Sequence, residues 1–170
     1  MKITSKLPDV GTTIFTVMSQ LAADHNALNL AQGFPEFGVS DDIIKLVSKY
    51  MQKGCNQYAP MAGIAELRLK IAEKTKKLYG REVNPETDIT VTAGATEALF
   101  AAITAIIHAG DEVIVLEPAY DSYDPVIRLC GGIPVNVPLQ YPDYRVDWDR
   151  VKDALTNKTR AIMLNSPHNP

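Results

Sequence analysis

The chain has 170 residues, 46% of them apolar and 22% charged, with a formal net charge of −3. That length and balance describe roughly one globular domain with a real core and exclude a disordered chain. The slight negative charge offers no footprint for nucleic acid or an anionic membrane. Two cysteines, Cys55 and Cys130, are too few for a disulfide scaffold or a four-thiolate zinc site.

Residues 1–10 carry Lys2 and Lys6, but no apolar stretch follows, so they do not read as a secretory leader. The longest apolar-rich run, residues 98–107, is about half of what a membrane-spanning helix needs. A cytoplasmic location is the expectation.

The first periodic segment is 12–24, where Ile14, Val17, Met18 and Leu21 share one helical face. Residues 29–38 are punctuated by Gly33, Pro35 and Gly38 and read as a loop. Ser40, Asp41 and Asp42 supply N-cap chemistry for a helix containing Ile43, Ile44, Leu46 and Val47, closed by Gly54. After a loop over 55–62, the spacing predicts a helix over 63–79 with Ile64, Leu67, Ile71 and Leu78 inward and Gly80 as its C-cap.

From there strands and helices alternate. Strands are expected at 88–92, 112–117, 133–138 and 160–165, and helices at 95–108, 120–130 and 147–156. Strands separated by helices imply right-handed crossovers and a parallel or mostly parallel sheet, an α/β class. The alternation begins near Asp88, and the first 40 or so residues read as a separate arm. The chain stops at Asn165-Ser166-Pro167-His168-Asn169-Pro170 directly after a strand signal, so the expectation is a chain that ends mid-fold.

Three places carry candidate chemistry. Gly94-Ala95-Thr96-Glu97 opens the helix at 95, where first-turn N–H groups and the positive end of the helix dipole suit a phosphate. The alternative there is that Gly94 only permits the turn and Thr96 only caps the helix. Neither a dinucleotide fingerprint nor a P-loop is present. Tyr120 follows the strand 112–117 at its carboxyl end, the ligand edge of a parallel sheet, and is otherwise a surface or packing tyrosine. Asn165 and Asn169 follow the last strand at the same edge, as amide donors or as turn formers. His25, His108 and His168 show no ligand spacing, so no metal is expected. A phosphate cradle, an aromatic plate and amide donors at three strand ends together favour a flat, phosphorylated, aromatic ligand.

Five stretches carry a resemblance. They are Leu30-Ala31-Gln32-Gly33-Phe34-Pro35-Glu36-Phe37, Asn56-Gln57-Tyr58-Ala59-Pro60, Thr90-Val91-Thr92-Ala93-Gly94-Ala95-Thr96-Glu97-Ala98-Leu99, Glu117-Pro118-Ala119-Tyr120-Asp121-Ser122-Tyr123 and Asn165-Ser166-Pro167-His168-Asn169-Pro170. In this order they resemble the class I, fold-type I pyridoxal-phosphate aminotransferases, most closely the methionine/kynurenine (glutamine transaminase) branch. The resemblance spans the whole chain as the N-terminal portion of a protein over twice as long. It implies residues 1–40 as an N-terminal arm and small-domain segment, and 41–170 as the first part of the large cofactor-binding domain.

The resemblance also implies roles. Gly94, Ala95 and Thr96 would hold the phosphate of pyridoxal 5′-phosphate, Tyr120 would stack on its ring, and Asn169 would bond the ring's phenolic oxygen and help place the substrate carboxylate. Tyr58 would reach the phosphate in the neighbouring subunit of a homodimer. Gly33 would line the substrate-carboxylate pocket by its backbone, and Phe15 would cover the substrate side chain. The Schiff-base lysine is expected beyond residue 170, because none of the eleven lysines stands in the family's lysine context. The ring-nitrogen aspartate and carboxylate-binding arginine are expected there too, so the 170 residues alone would be inactive. The implied activity of the full-length parent is amino transfer from an amino acid, methionine or aromatic favoured, to a 2-oxo acid. A carbon–sulfur β-lyase of the same fold and a non-catalytic aminotransferase-like module or remnant are the alternatives.

Overall fold

The computed structural model describes residues 3–33 and 35–169. Phe34 of the first motif and Pro170 of the last lie outside the described residues, as do Met1 and Lys2. The chain forms two compact units, one of residues Met1–Val17 with Ala93–Pro170, the other of Met18–Thr92. Helix α1 (Ile14–Asp24) crosses the division. The second unit continues with α2 (Asp41–Gln52) and α3 (Ala65–Tyr79). The first holds α4 (Ala95–Ile106), β1 (Glu112–Glu117), α5 (Tyr123–Leu129), β2 (Ile133–Pro138), α6 (Trp148–Asp153) and β3 (Thr159–Met163).

The three strands form one parallel sheet in the order β2-β1-β3. β1 is central because Val113, Ile114, Val115 and Leu116 are apolar on both faces and all buried. Its two faces build two cores. Val113 and Val115 pack with Ile103 and Ile107 at the end of α4 and with Tyr123, Val126 and Ile127 of α5. Ile114 and Leu116 pack with Val137 of β2 and Val151 of α6. These partners follow from handedness. A right-handed crossover from β1 to β2 puts α5 on one face, and the crossover from β2 back past β1 to β3 must put α6 on the other.

Several boundaries match the periodicity closely, among them β1, β2 and Gly80, which ends α3 in the left-handed conformation at φ 66°. Others differ. Residues 88–92 form no strand. Val91 donates its N–H to the Ala62 carbonyl at 3.0 Å, but no ladder forms among the described residues. Alternation fixes which face a side chain takes, and a strand also needs a neighbour to receive its backbone. Residues 120–122 precede α5 instead of joining it. Ser40 stands at the N-cap of α2 without a side-chain capping bond. The apolar stripe of α1 is exposed, as are Ile43, Ile44, Leu46 and Val47 of α2 and the supposedly inward Ile64, Leu67 and Leu78. Amphipathic spacing identifies the face a helix offers for covering, and nothing among the described residues covers these.

Helix α6 has a cap that periodicity did not single out. The Asp147 carboxylate accepts the N–H groups of Asp149 and Arg150 at 3.2 and 3.1 Å and a bond from the Gln140 amide at 3.0 Å. The Arg150 N–H is the main cause holding this carboxyl below the usual carboxylate range, with the Gln140 amide, the Asp149 N–H and the Arg150 charge adding to it. A lowered native pKa means the stabilisation is present above the unfolded value of about 3.9 and is lost as pH falls through the native one. In urea titrations of the full-length protein, the midpoint gap between parent and Asp147→Asn is expected to be fully open above about pH 5 and to narrow below about pH 4. A gap that stays constant over that range would exclude the ionised cap.

No helix of the described residues is long and apolar enough to cross a membrane. No group of three or more His, Cys, Asp or Glu side chains among them is placed to hold a metal ion.

Candidate functional site

The site of the first unit starts at the turn into α4. Gly94 is the N-cap residue at φ 90°, a positive-φ conformation that glycine adopts without steric cost. A Cβ there would meet nothing within 4 Å, so the backbone angle and not crowding requires the glycine. Ala95 and Thr96 occupy the first turn, where a helix offers its N–H groups no acceptor of its own. The Glu97 carboxylate turns back to accept the Ala93 N–H, which spends its charge on the main chain preceding the helix.

Gly94 has no side chain with which to cap α4, and the described bond of the Thr96 hydroxyl is not to the main chain of the helix. Thr96 Oγ1 instead lies 3.3 Å from the Tyr120 hydroxyl. Two hydroxyls from residues 24 positions apart therefore meet beside the positive end of a twelve-residue helix. Tyr120 is half-buried against the α4–α5 core and stands edge-on to Tyr123, with ring centroids 5.9 Å apart and planes at 78°. Those contacts fix the ring against the core.

The third strand end is tied to the second. His168 donates from Nε2 to the Pro118 carbonyl at 2.6 Å, and its Nδ1 lies 3.4 Å from the Asn165 carbonyl. The imidazole thus links the segment after β3 to the segment after β1, and the next residue is the exposed Asn169. Ligand spacing gave His168 no metal role, and its use as a tether had no spacing signal. Glu97 was more legible, since a Glu three residues after an N-cap is a known capping position.

The structure therefore brings together Gly94, Ala95, Thr96 and Tyr120, with Asn169 carried on the tethered segment. Phe15 is half-buried on α1. Gly33 and Tyr58 belong to the second unit, and both are exposed. A Cβ on Gly33 would meet nothing within 4 Å, so no contact inside the chain demands a glycine there. Chemically, the mouth of α4 offers backbone N–H groups, two hydroxyls and a dipole to an anion, beside a half-buried aromatic ring.

The chain belongs to the aminotransferase class I and II family, whose model matches residues 25–170. It is 54% identical over 166 residues to the methionine aminotransferase of Escherichia coli, covering 98% of this chain and 43% of that one. The crystal structure of YbdL from Escherichia coli, identified as a methionine aminotransferase, superposes with a TM-score of 0.96 at 52% identity over all of this chain and 44% of its own. N-succinyldiaminopimelate aminotransferase from Mycobacterium tuberculosis superposes at 0.92 with 41% identity, over 99% of this chain and 44% of its own. The chain thus spans less than half the length of these relatives.

Proposed function

We propose that the protein containing this chain is a pyridoxal-phosphate-dependent aminotransferase that moves the amino group of an amino acid to a 2-oxo acid. Methionine or an aromatic amino acid is the favoured donor. The observation that carries the reading is the meeting of the Thr96 and Tyr120 hydroxyls at the α4 N-terminus. The donor set fits the cofactor: N–H groups and a hydroxyl for a dianionic phosphate, and an aromatic face for a flat ring. When bound, pyridoxal phosphate supplies an electron sink for charge developing at the substrate Cα.

In this reading Ala95 and Thr96 bind the phosphate through their N–H groups, and the Thr96 hydroxyl donates to it. Tyr120 orients the ring by stacking. Asn169 donates its amide to the ring's phenolic oxygen and helps place the substrate carboxylate, which also meets the Gly33 backbone. Phe15 covers an apolar substrate side chain, the feature that favours methionine or aromatic donors. Tyr58 serves the neighbouring subunit's phosphate, which makes the protein a homodimer. The proton-transferring lysine, the ring-nitrogen aspartate and the carboxylate-binding arginine belong outside these 170 residues. Residues 1–40 form the arm and small-domain segment, 41–170 open the large domain, and the compartment is the cytoplasm.

The full-length protein is expected to purify with a visible absorption band from bound pyridoxal phosphate. Adding methionine should shift that band, and a 2-oxo acid acceptor should yield the oxo acid of methionine. Pyruvate and thiol release from cystathionine without oxo acid from methionine would instead establish the β-lyase alternative. A protein with no such band would overturn the enzymatic reading.

A further inference from the structure

Arg68 on α3 is the only charged side chain buried among the described residues, at 7% exposure, and no role assigned above uses it. Burying a guanidinium is costly unless its donors are met. Its Nη1 donates to the Pro85 carbonyl at 2.6 Å and its Nε to the Gly63 carbonyl at 3.2 Å. The Glu86 carboxylate stands 3.4 Å away but is itself mostly exposed, so solvent screens that pair. Arg68 is therefore chiefly a clamp on two main-chain carbonyls.

Gly63 ends the loop that carries Tyr58. It sits at φ 95° with its N–H on the Pro60 carbonyl at 2.8 Å, and a Cβ there would lie 2.6 Å from Val91 Cγ2. Next to it, Ala62 accepts the Val91 N–H at 3.0 Å. At the other end of the loop, Cys55 donates to the Tyr50 carbonyl at 3.0 Å. Both ends are fixed, and between them Tyr58 and Met61 project fully into solvent. Ordering a loop costs conformational entropy, and burying a charge to do so costs more. Neither cost is recovered by packing the tyrosine inside this chain.

We propose that Arg68 is a positioning residue for Tyr58, holding the loop so that the phenol is aimed at a site on a neighbouring subunit. This rests on the reading of Tyr58 as a ligand of the partner's cofactor phosphate. Lysine cannot reproduce the clamp, because one ammonium replaces a planar fork that meets two carbonyls in fixed directions.

The test uses the full-length holoenzyme and its Tyr58→Phe, Arg68→Met, Arg68→Lys and Tyr58→Phe/Arg68→Met variants, titrated with pyridoxal phosphate by the visible band. Tyr58→Phe is expected to weaken cofactor binding roughly tenfold or more, as loss of a hydrogen bond to a charged group does. Arg68→Met should give a comparable loss, Arg68→Lys a smaller one, and the double variant no more than the larger single loss. Additive losses, or an Arg68→Met protein that is less stable but binds the cofactor normally, would overturn the proposal. Should Arg68→Met fail to fold, the same cycle run with Arg68→Lys decides it. A parent protein that binds no pyridoxal phosphate would refute the functional reading. Normal binding by Tyr58→Phe alongside weakened binding by Thr96→Ala would leave that reading intact and remove only the role of Tyr58, and with it that of Arg68.

Discussion

Thr96→Ala in the full-length protein is expected to weaken pyridoxal phosphate binding by about 10- to 150-fold, with little change in fold stability. The size follows from removing one hydroxyl donor to a charged phosphate, about 1.5–3 kcal/mol. The expectation of an intact fold follows from the geometry. The one described partner of Thr96 Oγ1 is the Tyr120 hydroxyl at 3.3 Å and not the main chain of α4. Tyr120→Phe separates the contributions further. It keeps the ring for stacking and removes the hydroxyl beside Thr96, so it should lose less affinity than Tyr120→Leu, which removes both. Cofactor titration and urea unfolding of the same three variants read the two quantities side by side. Unchanged affinity in Thr96→Ala, with a lowered unfolding midpoint, would show that the threonine serves the helix and not the ligand.

Ile127→Ala is the substitution expected to cost most in stability, about 2–5 kcal/mol. Ile127 is fully buried on α5 between β1 and the end of α4, packed with Ile103, Ile107, Val113, Val115, Tyr123 and Val126. The neighbourhood is already filled. A Cβ at Gly132 would come within 3.0 Å of Ile127 Cγ2 and 2.7 Å of Ile107 Cγ2. Little room remains for the backbone to collapse into the space an alanine leaves, which places the loss toward the upper part of that range. Urea denaturation of the full-length protein with and without the substitution gives the difference. A loss below about 1 kcal/mol would mean that the α5 face is loosely packed. Because Tyr123 and Tyr120 share an edge, a destabilised α5 should also loosen the cofactor, but less than Thr96→Ala does.

The parts of the fold that were legible in the sequence are those in which local pattern and burial coincide. The run Glu112–Glu117 is apolar on both faces and bounded by Gly110 and Pro118, so its limits and its central position follow together. Residues 88–92 show the limit of the same reasoning. Ile89 and Val91 alternate correctly, yet pairing depends on a neighbour that no local pattern reports. The stripes of α1 and α2 fail similarly, since Ile14 or Ile43 records a face and not its cover. In the candidate site, the Gly94 turn is visible as a glycine opening a helix and Tyr120 as a position at a strand end. The contact between the Thr96 and Tyr120 hydroxyls and the tether from His168 to Pro118 are not, because each joins residues 24 or more positions apart. Arg68 is hidden for a different reason. On a helix rich in lysine, an arginine reads as one more solvated charge until the carbonyls it meets are known.

The strand order carries a consequence for where chemistry is able to settle. The chain leaves β1 toward one edge of the sheet and later returns to place β3 on the opposite side, with helices on opposite faces. In a parallel sheet the strands all end on the same side, the carboxyl edge at which ligands of open α/β sheets settle. Tyr120 and Asn169 follow the adjacent strands β1 and β3 at that edge. The location of the edge is therefore a property of strand direction, set before any side chain is chosen. Substitutions at its rim alter what is held there without moving the place at which it is held.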